Sequence, residues 1–162
     1  MKQPRLYNVI FPVWLMYLVP VVWLIVIPAN LLIDCVVVFV ALCALKHREK
    51  RAVLKQVWWK VWLLGFAADL VGVLVLMPAM QLSSVLPDPV WDLMEPVMYN
   101  CWKSPLAFLW TGLAVAVAGI CIYFFDKWVM GSCQKLSKRE GHIIALTLAI
   151  VTAPWTFFIP VY

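Results

Sequence analysis

A chain of 162 residues that is 65% hydrophobic and only 13% charged cannot fold as an ordinary water-soluble domain. Soluble domains are roughly half apolar and a quarter charged, and a chain this short has too little interior to hide so much apolar surface. With a mean hydropathy of +0.94, the expected fold is all-α, a polytopic transmembrane helical bundle forming one integral membrane domain over 1–162. Its solvent is the lipid bilayer.

The first apolar run, Tyr7 to Leu45, is interrupted only by Asn8, Asn30 and Asp34. As one straight helix it would reach roughly 58 Å, nearly twice the hydrocarbon thickness of about 30 Å. It must therefore break, and proline supplies the places. A break near Pro20 gives an N-terminal interfacial or re-entrant helix over 7–20 and one long tilted span over 21–45. A break at Pro28-Ala29-Asn30 gives two spans and a tight turn, hence five spans in all. Trp14, Tyr17 and Trp23 gather around Pro20 as aromatics do at a headgroup boundary, which favours four spans. Lys2 and Arg5 prefer the cytoplasmic side, which argues mildly for five. They also resemble the start of a signal peptide, but no small-residue cleavage site follows, so an uncleaved anchor is expected.

Three further spans are expected at about 57–81, 105–125 and 141–161, with a loop over 82–104. The linker over 46–55 carries five basic residues, and Lys127 to Arg139 carries four. Ser83 to Ser104 has Lys103 alone against Asp88, Asp92 and Glu95. By the positive-inside rule the linkers 46–55 and 127–139 are cytoplasmic, and the loop and the C-terminus are external. The expectation is a multi-pass protein of the cell membrane. Its net charge of +5 orients it against anionic headgroups and implies no nucleic acid.

Asp34 and Asp69 fall inside these spans with no basic residue nearby. A carboxylate at bilayer depth costs about 3 kcal/mol on insertion scales and is a functional candidate by default. Asp34 lies about 18 Å along its helix from Lys46, and Asp69 about 14 Å from Lys60, so on antiparallel neighbours the two reach similar depth. A facing pair can share a proton or grip a cation, and it titrates as a unit. Asn30 sits one turn from Asp34 and places an amide beside it. Asn30, Asp34 and Asp69 are therefore the candidate ion or proton pathway. The plainer reading is interhelical glue, contributing about 1 kcal/mol per hydrogen bond.

Small residues mark the candidate packing faces. Gly65, Asp69 and Gly72 share one helical face, as do Gly112, Ala116 and Gly119, and such faces let membrane helices approach closely. In the loop, Val90 to Glu95 is expected to lie along the membrane surface. Asp88, Asp92 and Glu95 would then form an acidic mouth that concentrates cations. Met94, Met98 and Cys101 have the spacing of soft ligands, but Pro96 interrupts it, and no metal or cofactor is assigned. Cys35, Cys43, Cys101, Cys121 and Cys133 show neither metal-ligand spacing nor a disulfide framework. His47 and His142 sit at span ends, where topology explains them. The ten tryptophans read mostly as interfacial anchors.

No phosphate loop, zinc-protease motif or nucleophile elbow is present, so no enzyme is expected. Asn100-Cys101-Trp102-Lys103-Ser104-Pro105 resembles one segment of the translocator-protein family of tryptophan-rich sensors. That family's other tryptophan-proline signatures are missing, and no ligand is carried over. The reading is a small transporter or channel that moves cations or a proton-coupled solute past Asp34 and Asp69. A homo-oligomer is expected, because four or five helices rarely enclose a path alone. The alternative is a non-catalytic membrane subunit or scaffold that docks a protein partner.

Overall fold

Helix formation follows directly from the solvent, since in hydrocarbon every backbone polar group needs an internal partner. The computed structural model describes residues 20–81 and 87–160, and every regular element within them is helical. The elements are α1 (Pro20–Ala44), α2 (Lys50–Leu76), α3 (Pro78–Gln81), α4 (Asp88–Met94), α5 (Pro105–Gly131) and α6 (Lys138–Val151), with single 3-10 turns at Glu95–Met98, Cys101–Lys103 and Trp155–Phe158. Four segments are long and apolar enough to cross a membrane: Leu24–Ala44, Lys50–Leu76, Pro105–Gly131 and Lys138–Phe158. The protein is an all-α, multi-pass membrane protein. The helix expected over 7–20 lies outside the described residues, apart from Pro20, which opens α1.

α1 runs unbroken through Pro28, so the break at Pro28-Ala29-Asn30 that would have made a fifth span is absent. Proline leaves the carbonyl four residues earlier without its helical donor. Membrane helices tolerate this when neighbouring groups support the turn. The carbonyl concerned is that of Leu24; beside it, the Trp62 indole of α2 donates to the Ile27 carbonyl at 3.1 Å and ties α2 to the residue before the proline.

The α1–α2 connection is short because α1 ends in a Schellman-type cap. The His47 amide donates to the Leu42 carbonyl and the Lys46 amide to the Cys43 carbonyl, each at 3.0 Å. Lys46 takes the left-handed position at φ 54° that glycine usually fills. The chain then turns back as α2, which starts at Lys50 rather than Val57, so its first turns carry Lys50, Arg51 and Lys55.

α5 extends to Gly131 rather than Phe125, and the linker before α6 shrinks to a few residues. α6 begins with a capping box. The Ser137 hydroxyl accepts from the Glu140 amide at 3.2 Å, and Glu140 Oε2 accepts from the Ser137 amide at 2.9 Å. Glu140 Oε1 also meets His47 Nδ1 at 3.1 Å, tying the α1–α2 turn to α6.

The span expected over 141–161 falls on the apolar segment Lys138–Phe158, but the helix within it is interrupted. α6 stops at Val151, and Thr152, Ala153 and Pro154 are not helical. Pro154 disfavours a helical conformation at Ala153. At 1.5 Å per residue α6 is about 21 Å long, shorter than a hydrocarbon thickness of about 30 Å, and the apolar segment continues past its end as a 3-10 turn.

The four long helices pack in the order α1, α2, α5, α6, and α6 closes back on α1. Gly72 sets the α2–α5 approach: a Cβ there would lie 2.9 Å from Phe157 Cε2 and 3.2 Å from Ala118 Cβ. One apolar cluster, including Leu42, Val61, Ile122, Met130, Ile144 and Leu148, fills the end near the basic linkers. A second, including Leu76, Met94, Val97, Ala107 and Phe157, joins the loop segment to the other end.

A carboxylate cavity beside an opened helix

Asn30 and Asp34 lie one turn apart on α1, as do Gly65 and Asp69 on the antiparallel α2, and the two pairs meet crosswise. Asn30 Nδ2 donates to Asp69 Oδ2 at 3.3 Å. Asp34 lies against Gly65, where an added Cβ would stand 3.4 Å from Asp34 Oδ2. A methyl there would stand in van der Waals contact with the carboxylate. Asp34 is 6% exposed and Asp69 is 5% exposed. Asp69 Oδ1 is buried without a hydrogen-bond partner among the described residues, an arrangement that costs free energy unless a proton, a water or an ion answers it.

All four residues line one cavity of about 230 Å³, closed by Ile33, Ile122 and the stretch from Val151 to Thr156. α6 therefore opens at the carboxylates. The final carbonyls of a helix have no intrahelical donor. In α6 the Leu148 carbonyl is taken by the Thr152 amide and hydroxyl at 2.8 and 2.9 Å, and the Ile150 carbonyl by the Trp155 indole at 2.9 Å. Those of Ala149 and Val151 belong to the same last turn. The negative end of the α6 dipole thus adds to two carboxyls, and among the described residues no cationic side chain lines the cavity. Carboxylates beside an opened helix end are the equipment with which membrane transporters hold small cations or protons.

No protein family, characterised protein or solved structure matches this chain. The functional reading rests on the geometry.

The remaining candidates separate. Gly72 packs α2 against α5, and Gly119 faces α6, with an added Cβ 3.5 Å from the Ala149 carbonyl. Gly112 approaches nothing closer than the Phe158 ring at 4.0 Å. Ala116 is exposed, so the expected Gly112–Ala116–Gly119 face is corrected. Ala116 is rotated about 60° from Gly119 at 100° per residue, which turns it outward. The small-residue face toward α2 is instead Ala107, Ala114 and Ala118, all buried. Val90 to Met94 lies in α4 as a short helix, but neither Asp92 nor Glu95 lines the cavity. Cys101 is buried, which pushes its thiol up from the usual range. Trp62 and Trp110 are staples between helices rather than boundary anchors, the latter donating to the Val75 carbonyl at 3.1 Å.

One residue escaped the sequence reading. Asp126, on α5, is 1% exposed, and both its carboxylate oxygens lack a hydrogen-bond partner among the described residues. The apolar stretch ends at Phe125, which assigned Asp126 to a linker. The signal was the helical register: Ile122, Asp126, Val129 and Met130 continue one face up to Gly131-Ser132.

Proposed function

We propose that this protein is a small transporter or channel, with Asp34 and Asp69 as the groups that a cation or a coupling proton meets and Asn30 as the amide that positions Asp69. The observation that carries this reading is the bare Asp69 Oδ1, buried in a cavity that also holds Asp34 and the open end of α6. A structural carboxyl is better served by partners on both oxygens. An ion-handling carboxyl needs one oxygen free. The basic linkers 46–55 and 127–139 support a cytoplasmic position for that end and an external C-terminus in the cell membrane. A symmetric homo-oligomer would complete a path that four helices enclose only in part.

Flux into proteoliposomes under an imposed pH or sodium gradient tests the reading. Wild-type protein should carry the ion, and Asp34→Asn and Asp69→Asn should abolish flux while the protein stays folded.

The Asn30–Asp69 hydrogen bond favours a second reading, a non-catalytic subunit in which the pair glues α1 to α2 and a protein partner supplies the activity. On that reading the same substitutions weaken assembly, and the purified protein moves nothing at any pH.

A further inference from the structure

We infer that Asp126 is the second station of the same path, on the side of the basic linkers, and that the species passing it is a proton rather than a metal cation. This inference rests on the reading of Asp34 and Asp69 as an ion site. Asp126 lies one turn along α5 from Ile122, which lines the carboxylate cavity, so Ile122 stands between that cavity and the buried Asp126 carboxyl.

The surroundings of Asp126 decide what it can hold. Its helical face is shared with Ile122, Val129 and Met130, and that face joins a cluster containing Val38 of α1, Val57 and Val61 of α2, and Ile144 and Leu148 of α6. The α1, α2 and α6 residues of that cluster are all apolar. Hard metal cations take about six oxygen ligands, and Asp126 offers two carboxylate oxygens with no polar neighbour bonded to either. α5 is helical through this position, so its backbone carbonyls are engaged. Among the described residues no three His, Cys, Asp or Glu side chains converge to hold a metal ion. The three aspartates are therefore stations rather than one coordination sphere.

A proton needs only one oxygen. The cavity, with the carboxyls of Asp34 and Asp69, the Asn30 amide, the Thr152 hydroxyl and opened backbone, can dress a cation. The next station cannot. The transfer is a simple exchange: the Asp34 carboxyl gives up its proton as the Asp126 carboxylate takes it, through water admitted past Ile122. No electrons move.

The test is proton flux and sodium flux in proteoliposomes of wild type, Asp34→Asn, Asp69→Asn, Asp126→Asn, Asp126→Glu and Ile122→Ala, each checked for helicity and monodispersity. Wild type should carry protons, and Asp126→Asn should slow this by about a hundredfold, the lower range for removing a proton-transfer group. Asp126→Glu should restore part of the rate. Ile122→Ala should raise it severalfold, and this variant keeps the proposal open to refutation if Asp126→Asn does not fold. Wild-type proton flux in Asp126→Asn, alongside its loss in Asp34→Asn and Asp69→Asn, overturns the role of Asp126 and leaves the cavity reading standing. Sodium flux that Asp126→Asn abolishes overturns proton selectivity. A wild type that carries sodium but no protons overturns this inference and leaves the cavity reading standing, and one that carries neither overturns both. An unchanged rate in Ile122→Ala refutes the barrier.

Discussion

Gly72→Ala is the sharpest packing test, because its consequence can be worked out atom by atom. The new methyl would stand 2.9 Å from the Phe157 ring, 3.2 Å from Ala118 Cβ and 3.4 Å from the Ala114 carbonyl oxygen. Carbon atoms pack at about 3.5 to 4.0 Å, so the ring contact is short by about 0.6 Å or more. Phe157 is held in the buried cluster at 5% exposure and cannot swing into open space. α2 and α5 must part, and overpacking of this kind costs typically about 1 to 3 kcal/mol. Replacing a helical glycine by alanine returns about 1 kcal/mol of propensity, leaving a net loss of up to about 2 kcal/mol. Gly131→Ala is the control, since nothing lies within 4 Å of its added Cβ, and it should stabilise by up to about 1 kcal/mol. Unfolding by sodium dodecyl sulfate in mixed micelles, followed by far-ultraviolet circular dichroism, reads both. The partner truncation Phe157→Leu in the Gly72→Ala background should recover part of the loss. Equal stability of Gly72→Ala and Gly131→Ala would refute the α2–α5 packing described above.

Other outcomes follow from the same structure. Lys46→Gly should stabilise the protein by about 1 kcal/mol in the same assay, because a non-glycine residue in the left-handed region carries a cost of that order; a destabilisation would contradict the α1 cap. Trp62→Phe should lose about 0.5 to 1.5 kcal/mol as the bond from its indole to the Ile27 carbonyl is removed, whereas the exposed Trp59 should tolerate phenylalanine. Lys135, through a hydrogen bond and then its charge, holds the Glu49 carboxyl below its usual value of 4.5. The resulting contribution is present above that usual value and is lost as pH falls through the lower folded value. Because the pair is exposed, it is screened by salt and leaves stability nearly unchanged. Carbon NMR should show Glu49 titrating below its usual value of 4.5, and Lys135→Ala should return it to the usual range.

The bilayer explains why so much of the fold could be read from composition. A span must be apolar over its whole length, so α1, α2 and α5 announced themselves, and the four-residue spacings of Asn30 with Asp34 and Gly65 with Asp69 placed each pair on one face. Helix ends were less legible. The apolar stretch stopped at Phe125 while the helix, held by burial of Asp126, Val129 and Met130, ran on to Gly131. The opposite error arose in α6, where the stretch stayed apolar past the point at which Pro154 ends the helix. Composition records where lipid is tolerated, not where backbone hydrogen bonding stops. The roles of Trp62 and Trp110 were hidden for a related reason: position along a span predicts a belt, whereas an indole N–H buried between helices must find a carbonyl.

The central claim is that Asp69 belongs to an accessible ion-handling site rather than a sealed helix contact. Its most direct measurement is reaction of the purified, folded protein with a hydrophobic carbodiimide, which attacks protonated carboxyls in apolar surroundings, mapped by mass spectrometry across a pH series. The account expects saturable labelling of Asp69 that falls as pH rises and that an Asn30→Ala substitution alters. An Asp69 left unmodified at every pH in the folded protein would contradict it, and the pair would then stand as structural glue.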